Sequence, residues 1–111
     1  MTTPAVTEQQ FERAADDTLR AVERALDEVD GIELGLQLGV LTIEFPDGAR
    51  YVVNSHRAAR QIWMAAEHSA WHFDYHPENG RWIAAKNGDD LWDALAAVLS
   101  RKLGATIKLG R

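Results

Sequence analysis

"RQIWMAAEHSAWHFD" (residues 60–74) decides how the rest of the chain is read. It holds two of the four tryptophans and two of the four histidines. Apolar and polar residues alternate through Gln61-Ile62-Trp63-Met64 and again through Trp71-His72-Phe73-Asp74. Strand parity then sends Ile62, Met64, Trp71 and Phe73 to one face and Gln61, Trp63, His72 and Asp74 to the other. If the first set forms a core, a tryptophan is left on a wet sheet face among hydrogen-bonding neighbours.

The same period of two extends outward on both sides. Ile32 to Gln37, Val40 to Phe45 and Tyr51 to Asn54 read as strands before it, with Leu41, Ile43 and Phe45 as an inward set. Residues 61–65 and 70–76 are the fourth and fifth strands, and Arg81-Trp82-Ile83 is a short sixth. The turns "PDG" at 46–48 and "PENG" at 77–80 are tight, which favours an antiparallel meander.

Helices flank the strands. Residues 7–29 are predicted helical, with Thr7 as N-cap, Gln10 at the capping-box position and Gly31 as the stop. Phe11, Ala15, Thr18, Val22, Ala25, Leu26 and Val29 fall on one mostly apolar face. Residues 89–102 are a second helix, capped by Asp89 or Asp90, with Leu91, Leu95, Val98 and Leu99 inward and Gly104 as the stop. The expected fold is α+β: a two-layer α/β sandwich with a six-stranded antiparallel sheet and both terminal helices on one face. A chain of 111 residues makes one domain, 1–111. Residues 1–6 are expected to be flexible and 104–111 to pack near the helices through Ile107 and Leu109. Trp71 is expected in the core, and Trp92 over the helix–sheet edge.

Composition narrows the function. Net charge is −5, but residues 1–47 carry eleven acids and three bases while residues 48–111 carry six acids and nine bases. The acidic half repels phosphate backbones, so nucleic-acid binding is not expected. No apolar run reaches the length of a membrane span. The start, "MTTPAVTEQQF", has the pattern of neither a secretion signal nor a transit peptide. With no cysteine there is no thiolate site, which fits a cytoplasmic protein. No nucleophile elbow or glycine-rich phosphate loop is present, and a non-enzymatic role is expected.

Three groups are candidate sites. Glu8, Glu12, Asp16, Glu23 and Asp27 lie within about 100° of arc on the first helix, and Asp30 and Glu33 carry the acids into the first strand. Crowded exposed carboxylates attract hard cations loosely; their alternative use is a solvated face laced by pairs such as Asp16–Arg20 and Arg24–Glu28. His72, Asp74 and His76 share a strand face, but ligands spaced along one flat strand converge poorly on a metal. Trp63 with Asn54, Gln61 and His72 has the make-up of a protein-contact site.

"GVLTIEF" (39–45), "DGARYVVN" (47–54), "QIWMAA" (61–66), "HFD" (72–74) and "GDDLWDAL" (88–95) together resemble the frataxin family, its bacterial branch above all. The likeness runs from Phe11 through the second helix. It implies the same α–sheet–α sandwich and an iron-binding protein of iron–sulfur cluster assembly, either iron donor or regulator of the cysteine desulfurase. It implies weak iron binding at Glu12, Asp16, Glu23, Asp27, Glu28, Asp30 and Glu33. It also implies contact with the assembly machinery, a cysteine desulfurase and a scaffold protein, at Asn54, Gln61 and Trp63, and strand parity adds His72 to that partner-binding face. A monomer, or an oligomer formed with iron, is expected. The alternatives are a purely protein-binding regulator and a ferroxidase-like catalyst; against the latter, no His or Glu pairs stand at di-iron spacing. The short "VDGIE" connection departs from the family and is expected to weaken iron binding. His56 and Ala58 stand where the family has glutamine and proline, and Ser69-Ala70 replaces a glycine-rich pair.

Overall fold

The computed structural model describes residues 6–109. The first helix, α1 (Glu8–Leu26), opens with the expected capping box: Gln10 N donates to Thr7 Oγ1 at 3.1 Å and Thr7 N to Gln10 Oε1 at 2.9 Å. Its buried stripe is Phe11, Ala15, Leu19, Val22 and Leu26. Leu19 belongs to that stripe, whereas Thr18 and Ala25 lie at its margin.

α1 stops at Leu26, with Asp27 as C-cap, rather than running to Val29. Val29 N turns back to Leu26 O at 2.9 Å and Gly31 takes φ 86°, a conformation easy only for glycine. The early stop lets Val29 and Ile32 pack against the core from the turn. It also lifts Asp27, Glu28 and Asp30 off the helix and onto an exposed turn.

Six strands follow: β1 (Glu33–Gln37), β2 (Val40–Glu44), β3 (Arg50–His56), β4 (Gln61–Ala66), β5 (Ser69–His76) and β6 (Arg81–Ala84). They pair antiparallel in sequence order as one sheet. The second helix, α2 (Leu91–Leu103), starts at Asp90 and ends at Gly104, which takes φ 67°. The sandwich is the one expected. Asp90, not Asp89, is the cap: its carboxylate accepts from Trp92 N at 2.9 Å and from Arg81 Nε at 3.1 Å, which ties α2 to β6.

One face of the sheet meets the helices over Leu41, Ile43, Val53, Ile62, Met64 and Phe73, all essentially inaccessible to solvent. Trp82 is the largest side chain in this core; its Nε1 donates to Thr18 Oγ1 at 2.9 Å, and Phe11 meets its ring edge-on at 6.0 Å. Thr18 sits beside the apolar stripe because a buried indole N–H needs an acceptor. Among the described residues no buried side-chain nitrogen or oxygen lacks a partner. Trp71 is a correction: it is only half-buried, with Nε1 donating to Asp89 Oδ2 at 3.1 Å. β6 is too short to reach it: Ala84 pairs with Phe73, so no described strand flanks Trp71 on that side, while Met64 opposite it on β4 is fully buried. Trp92 is half-buried against the core, as expected at an edge.

Ile107 and Leu109 of the tail pack against the core, and Ile107 N donates to Ser100 Oγ at 2.8 Å. Of the stretch expected to be flexible, 1–5 lies outside the described residues. Val6 packs on the core and its carbonyl accepts from Arg60 Nη1 at 2.6 Å. Among the described residues no helix is long and apolar enough to cross a membrane.

Candidate functional site: an open sheet face and an acidic edge

The face away from the helices is built by register. Val40, Asn54, Trp63 and His72 stand side by side across β2 to β5, and His56, Gln61 and Asp74 form the next row. Trp63 therefore points outward, as parity requires. Its indole is stacked between two imidazoles, His56 at 3.9 Å and 14° and His72 at 4.2 Å and 16°. Its Nε1 donates to Gln61 Oε1 at 2.8 Å, and Gln61 Nε2 donates in turn to Asp74 Oδ1 at 2.9 Å. Asn54 is half-buried beside it, its Nδ2 reaching Ser55 O at 3.4 Å.

Trp63 is thus held on both ring faces and at its N–H, with the ring edge left to solvent. A large side chain fixed before contact loses little entropy on binding, which suits an interface anchor. Gln61, Trp63 and His72 come together as the sequence indicated, with Asn54 alongside. His56 is the member that sequence reasoning did not place. β3 was expected to end at Asn54 but continues to His56, and a residue two positions on shares Asn54's face. Arg57 and the exposed Ala58 then begin the turn into β4.

The acidic edge divides in two. At its N-terminal end Arg57 bridges Glu8 at 3.6 Å and Glu12 at 2.6 Å, and Arg20 holds Asp16 at 3.1 Å. Glu12 and Asp16, expected among the iron ligands, are already engaged. At the other end Glu23, Asp27, Glu28, Asp30 and Glu33 form no ion pair among the described residues. The expected Arg24–Glu28 pair is absent, because α1 has ended before Glu28 and the i,i+4 relation no longer holds. Glu33 stands directly across from Glu44, a like-charge pair tempered by Arg50, which reaches Glu44 at 3.4 Å. Among the described residues no three His, Asp or Glu side chains lie close enough to form a metal site. His72, Asp74 and His76 do share the open face, but Asp74 is bound to Gln61 and His76 leans on Glu78 at 3.6 Å.

A meander backed by two terminal helices, bare on its other face and acidic along one edge, is a scaffold that presents surfaces rather than a cleft. A sequence model described as a frataxin-like domain matches residues 4–105. The chain is 38% identical over 111 residues to the iron-sulfur cluster assembly protein CyaY of Ralstonia nicotianae, covering 96% of each. Its fold matches a frataxin from Psychromonas ingrahamii with a TM-score of 0.85 at 24% identity, covering 95% of this chain and 99% of that one. It also matches trimeric frataxin from Saccharomyces cerevisiae complexed with ferrous iron, at TM-score 0.64 and 28% identity over 93% of this chain and 91% of that one. The chain belongs to the frataxin-like family.

Proposed function

We propose that this chain works in the cytoplasm in iron–sulfur cluster assembly as a non-enzymatic adaptor. In this reading it carries iron loosely as cargo at Glu23, Asp27, Glu28, Asp30 and Glu33 and engages the assembly proteins, a cysteine desulfurase and a scaffold, through the Trp63 face and the acidic edge. The observation that carries the reading is the pairing of that fixed aromatic face with an edge of carboxylates that form no ion pair among the described residues, in a chain matching a CyaY relative over nearly its whole length. Exposed oxygen ligands with water completing the shell suit a hard cation held weakly enough to be handed on.

Titration with ferrous iron under anaerobic conditions, followed by amide NMR, tests the cargo arm. Signals of Asp27, Glu28, Asp30 and Glu33 are expected to broaden before those of Glu12 and Asp16, whose charges are already met. Broadening confined to His72, Asp74 and His76 would move the site to the sheet.

A second reading has its own support. The absence of a three-ligand cluster among the described residues favours a protein-binding regulator whose carboxylates meet a basic partner surface, with metal incidental. Reversing Asp27, Glu28 and Asp30 to lysine together separates the two when binding to the desulfurase is measured in chelator. Undiminished association of the triple variant removes electrostatic docking through this edge and leaves the cargo reading.

A further inference from the structure

His56 makes two contacts that place different demands on its charge. Its ring lies flat on Trp63 at 3.9 Å and 14°. Its Nδ1 accepts the main-chain N–H of Ala59 at 3.3 Å. Stacking tolerates either charge state, and an imidazolium is attracted to the face of an indole. The hydrogen bond tolerates only one, because a protonated Nδ1 is a donor and cannot face another N–H. In the closed arrangement the ring is therefore neutral, with its proton on Nε2.

That bond closes the turn from β3 to β4. Within the turn Arg60 N donates to Arg57 O at 3.1 Å, and Arg60 takes φ 53°, a left-handed conformation that costs energy in a residue other than glycine. Residues 57–60 are all exposed, so burial does not hold them. Two arginines tie the turn to the start of α1: Arg57 to Glu8 and Glu12, and Arg60 to the Val6 carbonyl. One short turn thus joins the Trp63 face to the N-terminal end of the acidic edge.

The charges around the ring are mixed. Arg57 and Arg60 of its own turn oppose a proton on it. From β5, Asp74 stands two strands across in the same row, bound to Gln61, and His72 lies on the far side of Trp63. β4 adds no charged side chain on this face, and β2 adds only Glu44, which pairs with Arg50 at the far end of β3. From α1, Glu8 and Glu12 are taken by Arg57.

We propose that His56 is a proton-operated latch on the Trp63 face. Neutral, it closes the 57–60 turn and covers one side of the indole. Protonated, it stays over the indole but releases Ala59, so the turn opens and Arg57 and Arg60 loosen from α1. A partner then meets a mobile rim that must be ordered on contact, and it binds less well. This regulation rests on the reading that assembly proteins engage Trp63; the latch itself does not.

The latch is read on the isolated chain by NMR between about pH 8 and 5, the span over which histidine changes charge. The Ala59 amide should shift in step with the His56 ring signals, and its protection from exchange should fall several-fold once His56 is charged. H56Q supplies a flat acceptor that takes no proton and should keep the Ala59 amide in its closed-turn position throughout. H72Q retains His56 and should retain the transition. An Ala59 amide indifferent to the charge on His56 overturns the proposal, as does a His56 that stays neutral down to about pH 5. Binding to the desulfurase and scaffold over the same range reads the regulation. Wild-type affinity should fall several-fold more than that of H56Q as the pH drops. W63A keeps the two readings apart. If W63A binds as well as the wild type, the proposed face fails and the latch stands on the NMR result. If W63A weakens binding while wild type and H56Q share one pH profile, the face stands and the regulation is overturned.

Discussion

Trp82 and Trp63 project from opposite faces of one sheet and are anchored by the same device, a side-chain acceptor for the indole N–H. Trp82 donates to Thr18 at 2.9 Å across the two layers, and Trp63 donates to Gln61 at 2.8 Å within one strand. The first anchor joins residues 64 positions apart and is buried by the fold. The second joins residues two apart, and the ring faces are covered by His56 and His72 rather than by a core. Order at Trp82 is a consequence of folding, while order at Trp63 is assembled locally on a surface left open. The closed face therefore holds stability, and in the proposed function the open face holds shape for a partner.

The comparison breaks most sharply at Trp82. Trp82→Ala removes the largest core side chain and strands Thr18, and should cost about 3–5 kcal/mol. Denaturant unfolding measures it. A loss below about 1 kcal/mol would mean that the layers close over the cavity and that the closed face is not the stabilising one.

How the two faces divide was legible from "QIWM" and "WHFD", because a period of two fixes which side chains share a side whatever lies beyond. The capping box and both turns were legible for the same reason: their chemistry is confined to a few adjacent residues. Contacts between distant segments were not. Nothing local to Arg57 announces Glu8 and Glu12, or local to Thr18 announces Trp82. Trp71 misled because parity gives a side chain's side but not whether the next strand is long enough to flank it. The end of α1 was missed because Val29 fits the helical period and equally fits a turn folding back on Leu26. That single error put Asp27 on the helix wheel and Glu28 four residues from Arg24 on a helix that ends before both. His56 was noted as a departure in a loop, and its stacking on Trp63 became readable only once β3 was seen to reach it.

Thr18→Val keeps the shape at the layer boundary and removes the acceptor. A buried indole N–H without a partner should cost about 1–2 kcal/mol. Gln61→Leu is its counterpart on the open face and should cost less than half as much, since water can reach Trp63's ring edge and take the proton. Paired melts of the two variants sharpen the comparison. Equal losses would place Trp63 in a drier setting than its half-buried state indicates.

Trp63→Ala should change stability by under about 1 kcal/mol, because a partly exposed side chain has less transfer free energy to lose. Binding to the assembly machinery should fall by a larger factor than stability. His56→Ala should give the same pattern in weaker form, by freeing one ring face. A titration of each variant against desulfurase and scaffold, set beside its melt, reads both. Loss of several kcal/mol in Trp63→Ala would show that the open face also carries the fold.

The smallest effect lies at the rim of the closed face, where α2 is tied to two turns. Lys102 holds Asp47, and Arg101 holds Glu67 through two contacts at 3.1 and 2.9 Å. The hydrogen bond from Lys102 holds the Asp47 carboxyl below its usual range, and the one from Arg101 does the same for Glu67. A carboxyl with a depressed folded-state pKa stabilises the fold above its unfolded pKa and loses that contribution as pH falls through the folded value. The window is therefore below about pH 4. All four groups are well hydrated, so the effect should be slight and should shrink in salt. Melting temperatures of the wild type and of Asp47→Asn with Glu67→Gln should differ at neutral pH and converge as pH falls below about 4. The NMR signal of the Trp63 indole N–H should follow the same profile in both chains, since the open face shares none of these pairs. A wild-type curve that stays parallel to the variant's throughout that window would mean that the charges of the two ties contribute nothing, leaving α2 to its buried leucines and to Asp90 and Arg81.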